Sequence, residues 1–530
     1  MTSGKSGSKD RSSRPEWGRT EGPTWVAFRR TSQVAILFLF FLLFLLSKYP
    51  FEGSLAIDDF FKLDPLVALL TSLGARAWVQ ELGWALAFLF LALVLGRFFC
   101  GWICPLGTSL DISRRLLGKR KGGAPPSRRG MWVKYAVLVF ITTASLFSVA
   151  FLWFFDPIAT MIRSTTLFLY PVFSWGAVSL LEALARIDAL EESSFGILDR
   201  LRSSVLPVYE QHFEKALFVA AVFLAIVLLE KWKSRFWCRF VCPLGALYGL
   251  LSRKSLMRRI VDDSCTDCGI CARKCRMAAI GKDPKATSGA ECTFCLECAT
   301  ACPEAAIRFG FGAPGPARDS LDLPRRRFIA SGLSGALGAG LMGTVLVDRE
   351  RAATAVRPPG ALREDAFVDR CVRCFACVRV CATSGACLQP SLASAGLEAV
   401  LTPIARMRQG YCEYNCTLCG EVCPTGAIHT LALEDKQKRK MGLAFIDRNR
   451  CIPWAAGEDC IVCEEHCPVP DKAIIFETKE VSIPGEGAKI AKLPFVVTER
   501  CIGCGICETK CPLTGRAAVI VTREGEERWM

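Results

Sequence analysis

Apolar and polar positions divide the chain before any motif is considered. Residues 1–24 are polar, rich in Ser, Gly and Arg, and predict a disordered tail. Four apolar runs follow: Ser32–Leu46, Leu82–Phe99, Trp132–Phe154 and Phe213–Trp232. Each approaches the ~20 residues that a helix needs to cross a hydrocarbon core. A fifth stretch, Leu167–Ile187, contains Pro171 and Glu182 and ends in the amphipathic LLEALARI. It reads as an interfacial or re-entrant helix on the outer side, with an ordinary span as the alternative. Beyond residue 260 the apolar runs shrink to strand length, as in Ala473–Phe476 and Ala517–Val521. The exception is a weakly apolar Ala/Gly run that ends at Val347. The predicted fold class is an α-helical membrane domain with α+β bacterial-ferredoxin-like domains. The membrane domain occupies 25–260 and the small domains 261–310 and 348–530, with a Gly/Pro-rich linker at 311–324.

Composition agrees with several domains, one of them in a membrane: 530 residues, 51% hydrophobic. The net charge of +15 raises the question of nucleic acid. However, the basic residues cluster beside the apolar runs, where positive-inside topology explains them, and no nucleic-acid module is present. Arg114, Arg115, Lys119, Arg120, Lys121, Arg128, Arg129 and Lys134 follow the second run. Lys231, Lys233, Arg235, Arg239, Arg253, Lys254, Arg258 and Arg259 follow Phe213–Trp232. Both loops are cytoplasmic only if an even number of crossings separates them. Trp132–Phe154 and Phe213–Trp232 already supply two, which favours the interfacial reading of Leu167–Ile187.

Residues 325–347 open with Arg325-Arg326-Arg327-Phe328-Ile329. A twin arginine, one residue, Phe-Ile and a low-hydrophobicity segment look like a Tat export signal. Such a signal suits a domain that receives its metal before export. A basic flank before an ordinary membrane helix is the plainer reading, and the cysteine-rich domain downstream favours the signal. Ala353-Thr354-Ala355 offers a small-residue cleavage pattern, but an internal position favours retention as an anchor. Gly332, Gly335, Gly338 and Gly340 superficially resemble a nucleotide loop. No strand precedes them, so dinucleotide binding is a poor reading.

Twenty-nine cysteines dominate the chemistry. Most fall in C-x2-C-x2-C-x3-C groups, which is iron–sulfur spacing rather than a disulfide framework. Zinc ribbons lack the third close cysteine. The first two tetrads are Cys265, Cys268, Cys271, Cys275 and Cys292, Cys295, Cys298, Cys302. In this two-cluster spacing the fourth cysteine of each run ligates the other cluster. One cluster therefore takes Cys265, Cys268, Cys271 and Cys302, the other Cys292, Cys295, Cys298 and Cys275. Arg276 stands where proline usually follows. Four more tetrads lie past the twin arginine: Cys371, Cys374, Cys377, Cys381; Cys412, Cys416, Cys419, Cys423; Cys451, Cys460, Cys463, Cys467; and Cys501, Cys504, Cys507, Cys511. Six 4Fe–4S clusters are implied. Cys387 stands outside every tetrad and reads as a small buried residue. The only histidines are His212, His429 and His466; none lies in an apolar run and no C-x-x-C-H occurs, so no haem is expected.

Four cysteines remain, in a repeat. Cys100-Gly-Trp-Ile-Cys104-Pro-Leu-Gly follows the second apolar run and Cys238-Arg-Phe-Val-Cys242-Pro-Leu-Gly follows the fourth. Thiols at i and i+4 share a helix face, and proline then interrupts the helix. Two such loops at one membrane face would assemble four thiolates. Inert helix terminators are the plain alternative. The repeat favours a redox or quinone-linked role for Cys100, Cys104, Cys238 and Cys242, and leaves open whether they hold iron–sulfur, another metal or nothing.

These motifs carry a family resemblance over almost the whole chain past the tail. The two C-x3-C-P-L-G loops with a trailing two-cluster module resemble the NapH/MauN ferredoxin-type membrane proteins. The twin-arginine start and the run Cys451-Ile-Pro-Trp454…Cys460-Ile-Val-Cys463-Glu-Glu-His466-Cys467-Pro468 resemble NapG/MauM, the exported four-cluster partner. Here the two look fused. The resemblance implies a quinol dehydrogenase of a bacterial inner membrane, with a cytoplasmic N-terminus and a periplasmic C-terminal domain. Its partners would be membrane lipid, the quinone pool and a periplasmic redox acceptor, reached directly or through a cytochrome c. The Mau side of the resemblance also suggests an electron donor for maturation of another metalloenzyme, and a conduit fed by cytoplasmic reductant is a further alternative. The resemblance also implies that the first and fourth C-terminal tetrads exchange a cysteine, pairing Cys511 with Cys371, Cys374 and Cys377, and Cys381 with Cys501, Cys504 and Cys507. The second and third tetrads would exchange likewise.

Overall fold

The structure is a computed structural model, and it describes residues 17–50, 56–79, 83–118, 128–149, 151–207, 212–312, 324–344, 355–392, 399–483 and 487–529. The tail before residue 17, most of the linker, Lys119–Lys121 and the cleavage pattern's Ala353-Thr354 lie outside the described residues. The chain forms two units. The first takes Met1–Phe38, Ala87–Tyr135 and Ile226–Pro324; the second takes Leu39–Leu86, Ala136–Ala225 and Arg325–Met530.

In the first unit the predicted run at 82–99 is not one helix. Helix Ala85–Leu95 stops, Gly96 turns at φ +65°, and a short helix Phe98–Trp102 resumes. The turn needs glycine twice over. The φ is left-handed, and a Cβ there would meet the Phe294 ring at 2.6 Å. Proline opens the next helices, Pro105–Leu116 and Pro243–Ser252, each capped by the second cysteine of its C-x3-C pair. The tetrads that follow are framed by an antiparallel pair, β1 (Met257–Val261) and β2 (Ile307–Phe311), with Met257 opposite Phe311 and Val261 opposite Ile307. A small core containing Ile280, Ala299 and Ile307 closes around Cys271 and Cys298.

In the second unit, Pro157–Ser164, a π turn Thr165–Leu169 and Tyr170–Leu184 form one continuous helix. It and Thr24–Leu46 are the two helices among the described residues long and apolar enough to cross a membrane. Ala85–Leu95 and Val133–Leu146 have 11 and 14 residues. At 1.5 Å per residue they reach only about 17 and 21 Å, less than the ~30 Å hydrocarbon core. Both runs are apolar as expected, but backbone turns within them leave helices shorter than the expected spans. The helix Pro157–Leu184 begins earlier than the apolar stretch that announced it, and residues 157–167 are buried.

The twin-arginine segment is a helix, Arg325–Thr344. Gly335 serves close packing, since a Cβ there would lie 2.6 Å from the Phe140 carbonyl oxygen; Gly332 and Gly338 face Thr143 and Phe140 at ordinary contact distance. Small residues at this spacing let helix backbones approach, as in membrane helix pairs.

The remainder of the unit is built from short strands. β3 (Leu388–Pro390) pairs with β4 (Pro403–Ala405), β5 (Leu443–Ile446) with β8 (Val519–Thr522), and β6 (Ile474–Ile483) with β7 (Gly487–Val496), all antiparallel. The β6–β7 hairpin runs ten residues a side, much longer than the Ala473–Phe476 segment its hydrophobicity suggested. Its middle, Glu477–Glu480, is mostly exposed and therefore carries no apolar signal. The core holds Phe367, Phe375, Val378, Leu388 and Met407, interleaved with cysteines.

Candidate metal centres

The tetrads carry a backbone signature as well as a spacing. In four of them, the residues two and four places after the first cysteine have positive φ: Asp267 and Gly269, Phe294 and Leu296, Arg373 and Phe375, Gly503 and Gly505. Left-handed backbone costs a non-glycine residue about 1–2 kcal/mol. Alternation with right-handed residues curls successive N–H groups into an anion-binding nest, the cradle that iron–sulfur sites use. That strain, repeated at the same positions, fits thiolate clusters. The tetrads beginning at Cys412 and Cys451 have longer first gaps and lack positive φ at those two places, although Gly457 within the second of these gaps is left-handed.

In the first unit Cys275 is a neighbour of Cys292, Cys295 and Cys298. Burial, with smaller contributions from the adjacent thiols, pushes Cys292 up to about 12 and Cys295 to about 11. Buried thiols of this kind ionise when a positive centre binds them. Cys265, Cys268 and Cys271 form the neighbouring group.

In the second unit the cysteines group differently from the exchange that the family resemblance implied. Cys371, Cys374 and Cys377 line one pocket together with Cys423. Cys451, Cys460 and Cys463 line another together with Cys511. Cys381 lies beside Cys412, Cys416 and Cys419, and Cys467 beside Cys504. The first tetrad thus exchanges with the second, and the third with the fourth. The expected pairing of Cys511 with Cys371 is corrected. The reason is local: each exchange joins consecutive loops of one small fold, as in the first unit. Cys387 is buried, and its Sγ lies 3.8 Å from Cys381 Sγ. His466 is exposed, with Nδ1 3.0 Å from the Val462 carbonyl.

The four cysteines of the paired loops also come together. Cys100, Cys104, Cys238 and Cys242 are buried; burial, and then the neighbouring thiols, raise Cys104 and Cys242, and burial raises Cys238. Cys104 Sγ accepts from Gly107 N at 3.5 Å, and Cys242 Sγ accepts from Gly245 N at 3.3 Å. An arginine precedes each pair by three residues, a regularity the cysteine spacing concealed. Each reaches across to the other repeat. A Cβ on Gly245 would lie 2.7 Å from Arg97 Nη2, and one on Gly107 would lie 3.0 Å from Arg235 Nη1. Arg235 donates to Cys100 O at 3.0 Å and to both Asp111 oxygens at 3.0 and 2.7 Å. Arg97 donates to Glu291 at 2.8 Å, while its Nε and Nη2 have no partner. Burial, only partly offset by Arg235, pushes Cys238 up to about 11. Among the described residues no three ligating side chains converge on a single ion.

Comparison with known proteins agrees with this inventory. A 4Fe-4S binding domain family matches residues 81–123 and 215–262, which hold the paired loops. A 4Fe-4S dicluster domain family matches 286–382 and a further 4Fe-4S binding domain family matches 494–513. Ferredoxin-type protein NapG of Escherichia coli is 36% identical over 187 residues, 34% of this chain and 78% of that protein. The chain belongs to the NapG/MauM ferredoxin-type family. Methylamine utilization ferredoxin-type protein MauM of Methylorubrum extorquens is 35% identical over 34% of this chain and 81% of its own length. Ferredoxin-type protein NapH of Haemophilus influenzae is 29% identical over 56% of this chain and 93% of its own length. No solved structure matches. This NapG/MauM-type chain is thus fused to a NapH/MauN-type half, binds iron–sulfur clusters and transfers electrons.

Proposed function

We propose that the chain is a quinol dehydrogenase of the bacterial inner membrane. It withdraws electrons from quinol and delivers them through a Tat-exported cluster domain to a periplasmic redox enzyme. Residues 348 onward would lie outside, anchored by the retained helix Arg325–Thr344. The observation that carries this reading is the pair of four-cysteine cavities in the C-terminal domain. Six 4Fe–4S clusters would be held by Cys265, Cys268, Cys271 and Cys302; Cys275, Cys292, Cys295 and Cys298; Cys371, Cys374, Cys377 and Cys423; Cys381, Cys412, Cys416 and Cys419; Cys451, Cys460, Cys463 and Cys511; and Cys467, Cys501, Cys504 and Cys507. Bound clusters supply one-electron redox steps. The protein's part is to set their spacing, burial and hydrogen bonding, which tune potential. The paired loops would hold a further redox centre, with Arg97 and Arg235 offsetting its negative charge.

A second reading has its own support. The thiol chamber and the two-cluster module belong to one unit, as a conduit fed by cytoplasmic reductant, or a donor for metalloenzyme maturation, would require. Right-side-out vesicles separate the two. Given menadiol, they should reduce externally added cytochrome c. Reduction that requires reduced ferredoxin inside, and ignores menadiol, would favour the second reading.

A further inference from the structure

Cys387 belongs to no tetrad, yet it lies against one of the cysteine groups. It is 2% exposed, and its Sγ lies 3.8 Å from Sγ of Cys381, the cysteine grouped with Cys412, Cys416 and Cys419. Cys412 and Cys419 are also among its neighbours.

The segment that carries Cys387 departs from the other C-terminal tetrads. Pro424, Pro468 and Pro512 follow the fourth cysteine in those, and Ala382 stands here. Proline has no N–H to donate. Ala382 N donates to the Val378 carbonyl at 2.9 Å, so the turn of helix Ala376–Cys381 carries on. Thr383 N and Ser384 N bond back to the Val380 and Cys381 carbonyls at 3.1 and 3.0 Å. Ala386, with φ +58°, then redirects the chain, and its N–H also returns to the Cys381 carbonyl, at 2.8 Å. The segment is clamped on the residue before Cys412. Tyr411 N donates to Gly385 O at 2.8 Å, and a Cβ on Gly385 would lie 1.9 Å from the Tyr411 carbonyl oxygen. These contacts fix Ser384 and Cys387 in place.

Both side chains reach ligand sulfurs. A ligating Cys381 is a thiolate with no proton to give, so Cys387 is the donor of the 3.8 Å contact. Leu388 N donates to the same sulfur at 3.4 Å. Ser384 Oγ lies 3.9 Å from Cys416 Sγ and 3.3 Å from the Cys381 carbonyl oxygen. Lys436 adds a buried cation. Its Nζ donates to the Glu413 and Tyr414 carbonyls at 2.5 and 2.9 Å and reaches the Cys412 thiol. The hydrogen bond from Cys387 outweighs burial and holds the Cys381 thiol below its ordinary value.

We propose that Cys387 and Ser384 raise the potential of the cluster held by Cys381, Cys412, Cys416 and Cys419 by hydrogen-bonding to its ligand sulfurs. The inference rests on the cluster grouping given under the proposed function and adds a role for a cysteine outside every tetrad. Reduction adds one electron, and the added negative charge spreads onto the thiolate sulfurs. A donor aimed at those sulfurs stabilises the reduced state more than the oxidised one, which raises the potential. No bond breaks, and the Cys387 proton stays on its own sulfur.

The test is an anaerobic redox titration of the full-length protein in membranes, read by EPR at each potential. Cys412→Ser identifies the signal of this cluster as the one it changes. In Cys387→Ala that signal should become harder to reduce, by about fivefold in the one-electron equilibrium constant, the scale of a single hydrogen bond. At about 59 mV per tenfold this is a downward shift of ~40 mV. Cys387→Ser keeps a donor and should recover most of the shift. Ser384→Ala should move the same signal downward by less. Excess dithionite should reduce the same number of spins in the Cys387 and Ser384 variants as in the wild type, showing that the cluster is present. An unmoved midpoint in Cys387→Ala at full spin count would overturn the proposal and leave the cluster grouping standing. Loss of the cluster from both Cys387 variants would make Cys387 a ligand and overturn it as well. If Cys381→Ser and Cys412→Ser change different signals, the two cysteines serve different clusters, and the grouping falls together with this inference.

Discussion

At the scale of single residues, the sequence announces which thiols matter and conceals which of them act together. Spacing picks out all six tetrads, because ligation demands thiols at short intervals and that demand is written along the chain. The partner of each fourth cysteine depends on which loops fold side by side, so Cys423 beside Cys371 was not legible. The variants Cys423→Ser and Cys511→Ser separate the two groupings. Cys423→Ser should perturb the cluster of Cys371, Cys374 and Cys377, while Cys511→Ser spares it and perturbs that of Cys451, Cys460 and Cys463. Mössbauer spectra of the two variants decide this. Equal damage to the Cys371 cluster by Cys511→Ser would restore the other grouping. Charged residues were equally hidden. Burial alone would raise Asp111, but Arg235, then Arg276 and Arg29, hold it well below the usual carboxylate range. A depressed folded pKa means that the ion pair contributes fully above the unfolded value of about 3.9 and is lost as pH falls below it. Stability from this pair should therefore be flat from pH 5 to 8. Asp111→Asn should cost about 3–5 kcal/mol there, because it leaves Arg235 buried without its counter-charge. Denaturant unfolding of the detergent-solubilised protein at pH 7 and at pH 5 measures both.

At the scale of elements, hydropathy located the helices and missed their interruptions. The break at Gly96 follows from one left-handed glycine pressed against Phe294, a contact between residues almost two hundred positions apart. The glycines of Arg325–Thr344 look like a nucleotide loop in one dimension and are a packing stripe in three. Gly335→Ala should destabilise the protein, since its Cβ would sit 2.6 Å from the Phe140 carbonyl oxygen. Gly340→Ala meets nothing within 4 Å and should stabilise the helix by up to about 1 kcal/mol through propensity alone. Thermal unfolding of the two variants should move in opposite directions. A matching shift would mean that the stripe packs on nothing. Asp64 and Asp156, which cap Pro65–Ala75 and Pro157–Ser164, form an Asp-Pro repeat that did not stand out in the sequence, because a capping Asp before proline is common.

At the scale of the whole molecule, the first unit gathers the paired loops and two tetrads, and the second gathers four tetrads. The interleaved order of their segments is what a repeat of two-run halves produces: each half contributes to both units, and neither unit is a continuous stretch of sequence. This organisation gathers four tetrads in the second unit, and the central proposal, that quinol feeds these clusters, is directly measurable. Membranes holding the protein would be mixed anaerobically with menadiol, frozen at millisecond to second intervals and examined by EPR. The predicted result is reduced 4Fe–4S signal that grows on this timescale and is diminished in Cys423→Ser. Clusters that stay oxidised with menadiol and become reduced with cytoplasmic ferredoxin would contradict it, and the chain would then be an inward-fed donor.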